Sequence, residues 1–289
     1  MGDSHPTSGY TLNARQARPI LAGRGCDAAS VDTSLDLGLT SSRIHLTDQG
    51  IELPDGTALS WHALETIADD PDACWHVEGG AATRIHAFSP ELQRAYSLLA
   101  TDSAPTLVNA GFTMHRIKHS DPWQDTLAKI RAASPVRGTV LDTTTGLGYT
   151  AIQAAQTAAR VTTIELDPTV IEIARLNPWS APLFDNPRIT QLTGDSYSMV
   201  REFGDGAFDL VIHDPPTFSL AGELYSGEFY GRLWPVIRPG GRVFHYIGNP
   251  ESRQGATVTR GVIRRLHEAG FQPVTQRPGA FGVVAHRPR

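Results

Sequence analysis

The chain has 289 residues, of which 40% are hydrophobic and 19% are charged, and its formal net charge is −5. This composition is typical of a globular protein with one large or two moderate domains, and it excludes a disordered chain. The acidic balance also excludes a general electrostatic attraction to nucleic acid or anionic lipid. Two cysteines, Cys26 and Cys74, are too few for a disulfide scaffold and lack the CxxC spacing of a metal site.

The N-terminus and the apolar runs of the chain give no membrane signal. The first residues, MGDSHPTSGY, contain no apolar stretch like that of a secretory signal, and no run approaches the roughly 18 apolar residues of a membrane span. We therefore expect a cytoplasmic protein with no membrane partner. No histidine pair has HExxH-like spacing, so no metal site is predicted.

Residues 1–110 are predicted to form an N-terminal arm and a small β-rich accessory domain. Residues 1–35 are rich in Gly, Ser, Asp and Pro, which predicts a mobile arm with a short helix near residues 14–21. The accessory domain is the predicted contact of a homodimer. Its predicted elements are strands at residues 43–47, 50–53, 57–61, 74–78, 83–88 and 95–99, a helix at 63–68, and a hairpin turn at Gly79 and Gly80.

Residues 111–289 are predicted to form one α/β domain, because strand and helix patterns alternate there at the spacing of right-handed crossovers. The predicted strands are residues 139–142, 161–165, 188–191, 208–214, 242–247, 272–276 and 281–286. The predicted helices are residues 123–133, 149–159, 169–176, 196–203, 220–233 and 258–269. This pattern predicts a doubly wound, mostly parallel sheet of seven strands. Only residues 277–280 separate the last two strands, which predicts an antiparallel hairpin at its end.

The stretch TVLDTTTGLGY at residues 139–149 is the centre of this domain. A strand delivers Asp142 to a small-residue loop, residues 143–148, which leads into a helix beginning at Tyr149. Exposed N–H groups and a helix N-terminus hold polar or anionic ligands. Glu165, after the second strand, can accept hydrogen bonds from both hydroxyls of a ribose. Asp195, followed by Ser196 after the third strand, can contact an adenine amino group.

A stiff corner follows the fourth predicted strand. Asp214 comes directly before Pro215 and Pro216, whose rings fix φ and remove two N–H groups, so main-chain carbonyls are expected to accept hydrogen bonds from a substrate amine. Asp214 itself is a candidate amine acceptor or general base.

Several rings around this corner are candidates for the substrate pocket. Tyr225, Phe229 and Tyr230 are spaced as on a helix, either to line the pocket beside Phe218 or to pack beneath the helix. Tyr225 is also a candidate catalytic residue beside Asp214, and Pro215 and Pro216 are further candidates for the pocket. His115 is a candidate acid–base group.

Residues 123–289 resemble the class I S-adenosylmethionine (SAM)-dependent methyltransferases. The resemblance rests on the motifs VLDTTTGLGYTAI, TTIELDPTVIEIA, TGDS, FDLVIHDPPTF and RPGGRVFHYIG, which occur in the family's order. It implies a Rossmann-like methyltransferase fold and SAM as the cofactor. Further strings are similar to an uncharacterised group of predicted methyltransferases that is widespread in archaea: MHRIKHSDPWQDT, RLNPWS, HDPPTFSLAGELYSGEFY and FHYIGNP.

The resemblance implies a role for each matching position. Glu165 would bind the ribose, with Leu166 beside the adenine and Asp195 on its amino group, and Asp214 would lie at the catalytic corner. The methionine arm would lie along the loop of Thr143, Thr144, Thr145, Gly146 and Gly148. The family usually has Gly where this chain has Thr144, whose hydroxyl is expected to replace a water or to contact the methionine carboxylate.

The corner DPPTF resembles the Asn/Asp-Pro-Pro-aromatic corner of amino-group methyltransferases, with the aromatic residue displaced by one. The sequence therefore favours SAM-dependent methylation of a nitrogen of a small molecule. An alternative comes from the plan of the chain, which resembles polyamine aminopropyltransferases: transfer or cyclisation of the aminopropyl or aminocarboxypropyl arm, with release of methylthioadenosine. The string DPPTFS is also similar to a ribosomal RNA methyltransferase group, so an RNA base methyltransferase is a further alternative. A non-enzymatic SAM-binding protein is the last alternative.

Overall fold

The structure of the protein, a computed structural model, describes residues 9–289 apart from the side chain of Gln254. Residues 1–8 of the predicted arm lie outside the described residues. Two compact units can be distinguished. The first comprises residues up to Pro122 together with Thr169–Ala181, and the second comprises Trp123–Pro168 and Pro182–Arg289. The predicted domain boundary after residue 110 stays a prediction.

Residues 9–121 of the first unit contain three small antiparallel sheets and two helices. The sheet orders are β1-β6-β7, β2-β3-β4-β5 and β11-β10-β9-β8. The elements are β1 Tyr10–Leu12, α1 Ala14–Gly25, β2 Ser30–Thr33, β3 Ser42–Thr47, β4 Gly50–Glu52, β5 Ala58–Ser60, α2 Trp61–Asp69, β6 Trp75–Glu78, β7 Ala81–Arg84, β8 His86–Ser89, β9 Arg94–Leu99, β10 Thr106–Asn109 and β11 Phe112–Thr113. The predicted hairpin is confirmed, with β6 paired to β7.

The described part of the predicted arm is structured. Strand β1 pairs with β6, and helix α1 begins with a capping box in which Asn13 and Gln16 exchange hydrogen bonds with each other's backbone. Ile20 is fully buried in the core. The predicted helix near residues 14–21 is confirmed by α1, while residues 10–12 and 30–33 form strands where an arm was predicted, because apolar burial and a cap outweigh a composition rich in small polar residues.

The rest of the chain, from α3 on, alternates helix and strand as predicted. Its elements are α3 Pro122–Ala133, β12 Thr139–Asp142, α4 Tyr149–Ala154, β13 Arg160–Glu165, α5 Pro168–Arg175, α6 Ala181–Asp185, β14 Ile189–Thr193, α7 Ser196–Met199, β15 Phe208–His213, α8 Gly227–Val236, β16 Ile237–Tyr246, α9 Arg253–Glu268, β17 Val274–Arg277 and β18 Gly282–His286. The sheet order is β14-β13-β12-β15-β16-β18-β17. The first five strands are parallel and β18 is antiparallel to both neighbours. The predicted fold is confirmed.

The helix predicted at residues 220–233 is two elements. A 3₁₀ turn covers Gly222–Tyr225, and Ser226 then caps α8 by accepting a hydrogen bond from the Phe229 amide at 3.0 Å. A serine with extended backbone ends the turn and starts a new helix, which apolar periodicity alone does not reveal. Among the described residues, no helix is long and apolar enough to cross a membrane.

Gly148 is the residue of the central loop that tolerates a side chain least. Its φ is 76°, and a Cβ there would come within 2.6 Å of the buried Leu183 side chain. At Gly146, φ is 53° and a Cβ would meet nothing within 4 Å. We expect Gly148→Ala to lower the free energy of unfolding by about 1–3 kcal/mol more than Gly146→Ala, because only the former forces repacking. Urea unfolding of both variants measures the difference, and equal losses would contradict the contact.

Candidate active site at the carboxyl edge of the sheet

The central strand β12 places the candidate site at the edge where the chain changes direction across the sheet. Strand β12 pairs with β13 on one side and with β15 on the other. In open parallel sheets ligands bind at such a switch point, outside the carboxyl ends of the strands. Asp142, Glu165 and His213 end these three strands, so the topology brings their neighbourhoods to one edge.

The loop of residues 143–148 is bound to the protein through its own backbone amides. The Thr145 amide donates to the Ile164 carbonyl at 2.8 Å, and the Gly146 amide donates to Glu165 Oε2 at 2.8 Å. The amides of Thr143 and Gly148 donate to the carbonyls of Ile212 and Thr145. The loop is therefore preorganised, and these four N–H groups already have protein acceptors.

Threonine hydroxyls tie the same loop to the neighbouring strands. The Thr144 hydroxyl donates to the Asp214 carbonyl at 2.7 Å, so it connects the loop to the Pro corner. The expectation that Thr144 replaces a water or contacts a ligand carboxylate stays a prediction. The Thr145 hydroxyl lies 2.7 Å from that of Thr163. Both contacts explain why small hydroxyl residues occupy a loop that glycine usually fills.

Asp142 supports the loop from behind. Its side chain is fully buried, and Oδ2 accepts hydrogen bonds from the hydroxyls of Thr150 at 3.0 Å and Thr163 at 3.1 Å. Burial raises the pKa of Asp142 to about 8. Asp142 thus joins the start of α4 to β13. The neighbouring Tyr149 is also buried, with its ring edge-on to Trp123 at a centroid distance of 5.8 Å.

Glu165, Leu166 and Asp195 suit an adenosyl group by the chemistry of their side chains. Each oxygen of Glu165 accepts one amide hydrogen bond, from Gly146 or Asp167, which leaves lone pairs for the two hydroxyls of a ribose. Partial burial raises the pKa of Glu165. Leu166 is 46% exposed, an apolar surface for a base. We conclude that the residues present fit the adenosyl group that SAM and decarboxylated SAM share.

Asp195 begins the third element of this edge. It caps α7, with Oδ1 accepting from the Tyr197 amide at 2.9 Å and Oδ2 from the Ser198 hydroxyl at 2.8 Å. Ser196 is buried, while Asp195 itself is half-buried. The cap fixes the carboxylate at the edge, where an adenine amino group could donate to it.

Asp214 is held by a lysine that sequence reasoning missed. Lys129 Nζ lies 2.7 Å from Asp214 Oδ2 and 3.0 Å from Asp125 Oδ2. The side chains of Lys129 and Asp125 are fully buried, while that of Asp214 is 14% exposed. Burial alone would lower the pKa of Lys129, but the charges of Asp214 and Asp125 outweigh it and hold that pKa above its usual value. The candidate base is therefore part of a charged triad, Asp125–Lys129–Asp214.

Tyr225 supports the Pro corner from below. Its hydroxyl donates to the Pro216 carbonyl at 2.9 Å, so that carbonyl, predicted to be open to an amine, has an internal donor. Burial raises the pKa of Tyr225, which makes it a donor and not a base. Phe218 meets the Tyr225 ring edge-on at 5.5 Å and is itself 51% exposed. Phe218 and the buried Pro215 follow β15, and their role in a substrate pocket stays a prediction.

A buried pair of histidines lies beneath this corner. His213 Nε2 donates to the Leu224 carbonyl at 2.9 Å and Nδ1 accepts from the Thr143 hydroxyl at 2.7 Å. Burial lowers the pKa of His213 to about 4, so the ring is neutral at pH 7. The His245 ring lies 4.3 Å away, centroid to centroid. This pair positions the loop and the corner as a neutral, hydrogen-bonded unit.

Two further residues predicted for the site, Tyr230 and His115, have surroundings of their own. Tyr230 is fully buried in the core, and its hydroxyl lies 2.9 Å from His245 Nε2. The structure corrects its assignment to the pocket wall in favour of packing beneath the helix. His115 belongs to the first unit, where its backbone amide and Nδ1 contact the Thr106 hydroxyl at 3.2 and 3.0 Å. Its acid–base role stays a prediction.

Tyr230→Phe tests this core assignment. We expect the free energy of unfolding to fall by about 1–3 kcal/mol, because His245 loses its hydroxyl partner inside the core. Turnover and KM should stay within about twofold of the parent, because a core ring does not meet substrate. The matched change Tyr225→Phe should lower turnover, because it releases the Pro216 carbonyl. A large change in KM for Tyr230→Phe would return Tyr230 to the pocket.

No family model matches the chain. The chain is 43% identical over 284 residues to the uncharacterized protein MJ1233 of Methanocaldococcus jannaschii, a match that covers 96% of both proteins. It is 34% identical over 127 residues to polyamine aminopropyltransferase 2 of Streptomyces coelicolor, which covers 42% of this chain and 23% of that protein.

Among solved structures, the chain is similar to a spermidine synthase in complex with the transition state analogue AdoDATO. The TM-score is 0.58 at 18% sequence identity, and the match covers 72% of this chain and 77% of that one. At 18% sequence identity, the similarity to this structure shows the fold alone. The sequence match to MJ1233 covers almost all of both chains, and the protein therefore belongs to the same family as MJ1233 of Methanocaldococcus jannaschii.

Proposed function

We propose that the protein is a transferase that uses SAM or decarboxylated SAM and moves the aminopropyl-type arm of the sulfonium to an amine, with release of methylthioadenosine. The observation that carries the proposal is the hydrogen bonding of the backbone amides in the central loop, residues 143–148. The amides of Thr143, Thr145, Gly146 and Gly148 all donate to protein oxygens. A loop of this kind offers little to the carboxylate of a methionine arm, and it suits an arm that ends in an ammonium group.

The charges at the edge support the same assignment. Glu165 ends β13, Asp195 follows β14 and Asp214 follows β15. Lys129 balances the carboxylate of Asp214. Carboxylates attract and orient cations such as a sulfonium, an aminopropyl ammonium or a polyamine. Partial matches to proteins named polyamine aminopropyltransferase add support from the sequence.

In this reaction the sulfonium supplies a leaving group that is already activated. Glu165 and Asp195 would hold the nucleoside, and Asp214 would orient the acceptor amine through its carboxylate. The acceptor ammonium first gives a proton to Asp214, because only the neutral nitrogen has a lone pair for attack. That nitrogen forms a bond to the carbon next to sulfur, and the carbon–sulfur bond breaks with its electron pair left on sulfur. Positive charge moves from sulfur to the new ammonium group, and Asp214 releases its proton to water.

Methyl transfer from SAM to a nitrogen is the second candidate. It is supported by the Asp-Pro-Pro corner, in which Asp214 stands beside Pro215 and Pro216 as in the amino-group methyltransferases that the sequence resembles. The two reactions break different carbon–sulfur bonds of the same sulfonium. Their adenosyl products therefore differ and can be told apart directly.

A product assay tests the proposal. The purified chain is incubated with SAM or with decarboxylated SAM, each with and without spermidine as the probe amine, and the adenosyl products are separated. Enzyme-dependent methylthioadenosine from decarboxylated SAM and spermidine is the expected result. S-adenosylhomocysteine would move the assignment to methyl transfer, and methylthioadenosine from SAM without an acceptor would indicate a cyclase. Reactions without protein correct for spontaneous breakdown of SAM.

The acceptor is proposed to be a small amine. The net charge of −5 supports this over RNA, whose binding needs a basic surface. A homodimer through the N-terminal domain stays a prediction from the sequence.

A further inference from the structure

We infer that Lys129 is a positioning residue of the transferase reaction: it keeps Asp214 ionised and fixes one of its oxygens, so that the carboxylate is ready to orient the acceptor amine. Asp125 is the second anchor that holds Lys129 in place. This inference rests on the proposed function, because it assigns Asp214 the role of amine contact given above.

The geometry of α3 brings the triad together. Asp125 and Lys129 are four residues apart and share a helix face, and the Lys129 side chain points from that face to the corner after β15. Lys129 Nζ also lies 4.4 Å from the centroid of the Tyr246 ring, within cation–π range. The ammonium group is thus enclosed by two carboxylates and an aromatic face, which leaves it little freedom to move.

Burial of this triad is costly for stability alone. Removing ions from water costs several kcal/mol per ion, and replacing a buried ion pair with apolar residues is often neutral or stabilising. Asp125 by itself would neutralise Lys129 inside the core. The second pairing, to Asp214, connects the buried pair to the partly exposed edge, where the proposed chemistry takes place. A purely structural pair of Asp125 and Lys129 would not need this second contact to Asp214.

The charges around Asp214 determine what happens when Lys129 is removed. Lys129, Asp142 and Tyr225 act on Asp214, and Lys129 in turn is faced by Asp125 and Tyr246. Without the ammonium group, neighbouring carboxylates and burial favour a protonated Asp214. A protonated Asp214 is a poor partner for an amine cation, so activity should return only as the pH is raised.

Charge-balanced variants test the inference. We expect Lys129→Met to lower kcat at pH 7 by at least about 100-fold and to shift the rising limb of the pH–rate profile to higher pH, with the KM for the sulfonium within threefold of the parent. The double variant Asp125→Asn/Lys129→Met should recover at least about tenfold of that loss at pH 7. In the double variant the Asp125 carboxylate has gone, so more of Asp214 is ionised at pH 7 than in the single variant. Lys129→Arg should retain most activity, and Lys118→Met, at an exposed lysine, should match the parent.

Several outcomes would overturn the inference. A parental pH profile in Lys129→Met, or a double variant no better than the single, would make Lys129 structural only. Thermal unfolding followed by circular dichroism identifies variants that fail to fold, and the double variant and Lys129→Arg then decide the case. If the parent protein releases no methylthioadenosine from either sulfonium, the proposed function fails first, which separates the two failures.

Discussion

Replacing Asp214 with Asn is expected to lower kcat by roughly 10²- to 10⁴-fold, the range typical for a group that acts directly on the reacting atoms. The amide cannot pair with the acceptor ammonium, and Lys129 loses one of its two carboxylates. Affinity for the sulfonium should change less than threefold, because Glu165 and Asp195 are predicted to hold the nucleoside. Quantification of methylthioadenosine at saturating substrates measures the loss.

A matched control lies at the other end of the same strand. Asp205 is exposed and precedes β15, so Asp205→Asn removes one negative charge without touching the edge. It should retain parental kcat. If Asp214→Asn also retained kcat while binding of the nucleoside stayed intact, Asp214 would have no role in the reaction and the corner would be structural.

Replacing Glu165 with Ala is expected to weaken binding of the sulfonium nucleoside by at least about 100-fold. The variant loses the acceptors of two ribose hydroxyls, and hydrogen bonds to a charged group contribute about 1.5–3 kcal/mol each. It also releases the Gly146 amide from the loop contact at 2.8 Å. Calorimetric titration with methylthioadenosine, which carries the same ribose, gives the affinity directly.

The control for this variant is Glu172→Ala, at an exposed glutamate of α5. It should bind methylthioadenosine like the parent protein. The kcat of Glu165→Ala at saturating sulfonium should stay within about tenfold of the parent, because the ribose contact lies away from the reacting carbon. If Glu165→Ala bound methylthioadenosine as tightly as the parent protein, the nucleoside would have to bind elsewhere.

The seven-stranded sheet could be predicted because parallel strands that are buried on both faces are short apolar runs separated by helices. Strand β12 has its predicted bounds, Thr139–Asp142, and the final pair β17 and β18 is antiparallel as predicted. Strands β1 and β2 could not be predicted. They have three and four residues, and β1 pairs with β6, far away in the sequence, so no local pattern indicates it.

The carboxylates of the site could be predicted because each follows a strand, but their partners could not. An acid and a lysine four residues apart are typical of a solvated helix face, and only the fold shows that Lys129 reaches Asp214 85 residues away. The Tyr230 side chain illustrates the opposite error. Helical spacing placed it with Tyr225, although the Ser226 cap separates the two rings into different elements.

The two prolines after Asp214 limit the kind of charge that this corner can stabilise. Neither Pro215 nor Pro216 has a backbone N–H, and the Pro216 carbonyl already accepts the Tyr225 hydroxyl. Acyl and phosphoryl transfer build negative charge on oxygen and need N–H donors at the reacting atom. Under the proposed function no oxyanion forms. A cation at sulfur becomes a cation at nitrogen beside a carboxylate. The lack of main-chain N–H donors at residues 215–216 therefore does not disfavour the proposed reaction.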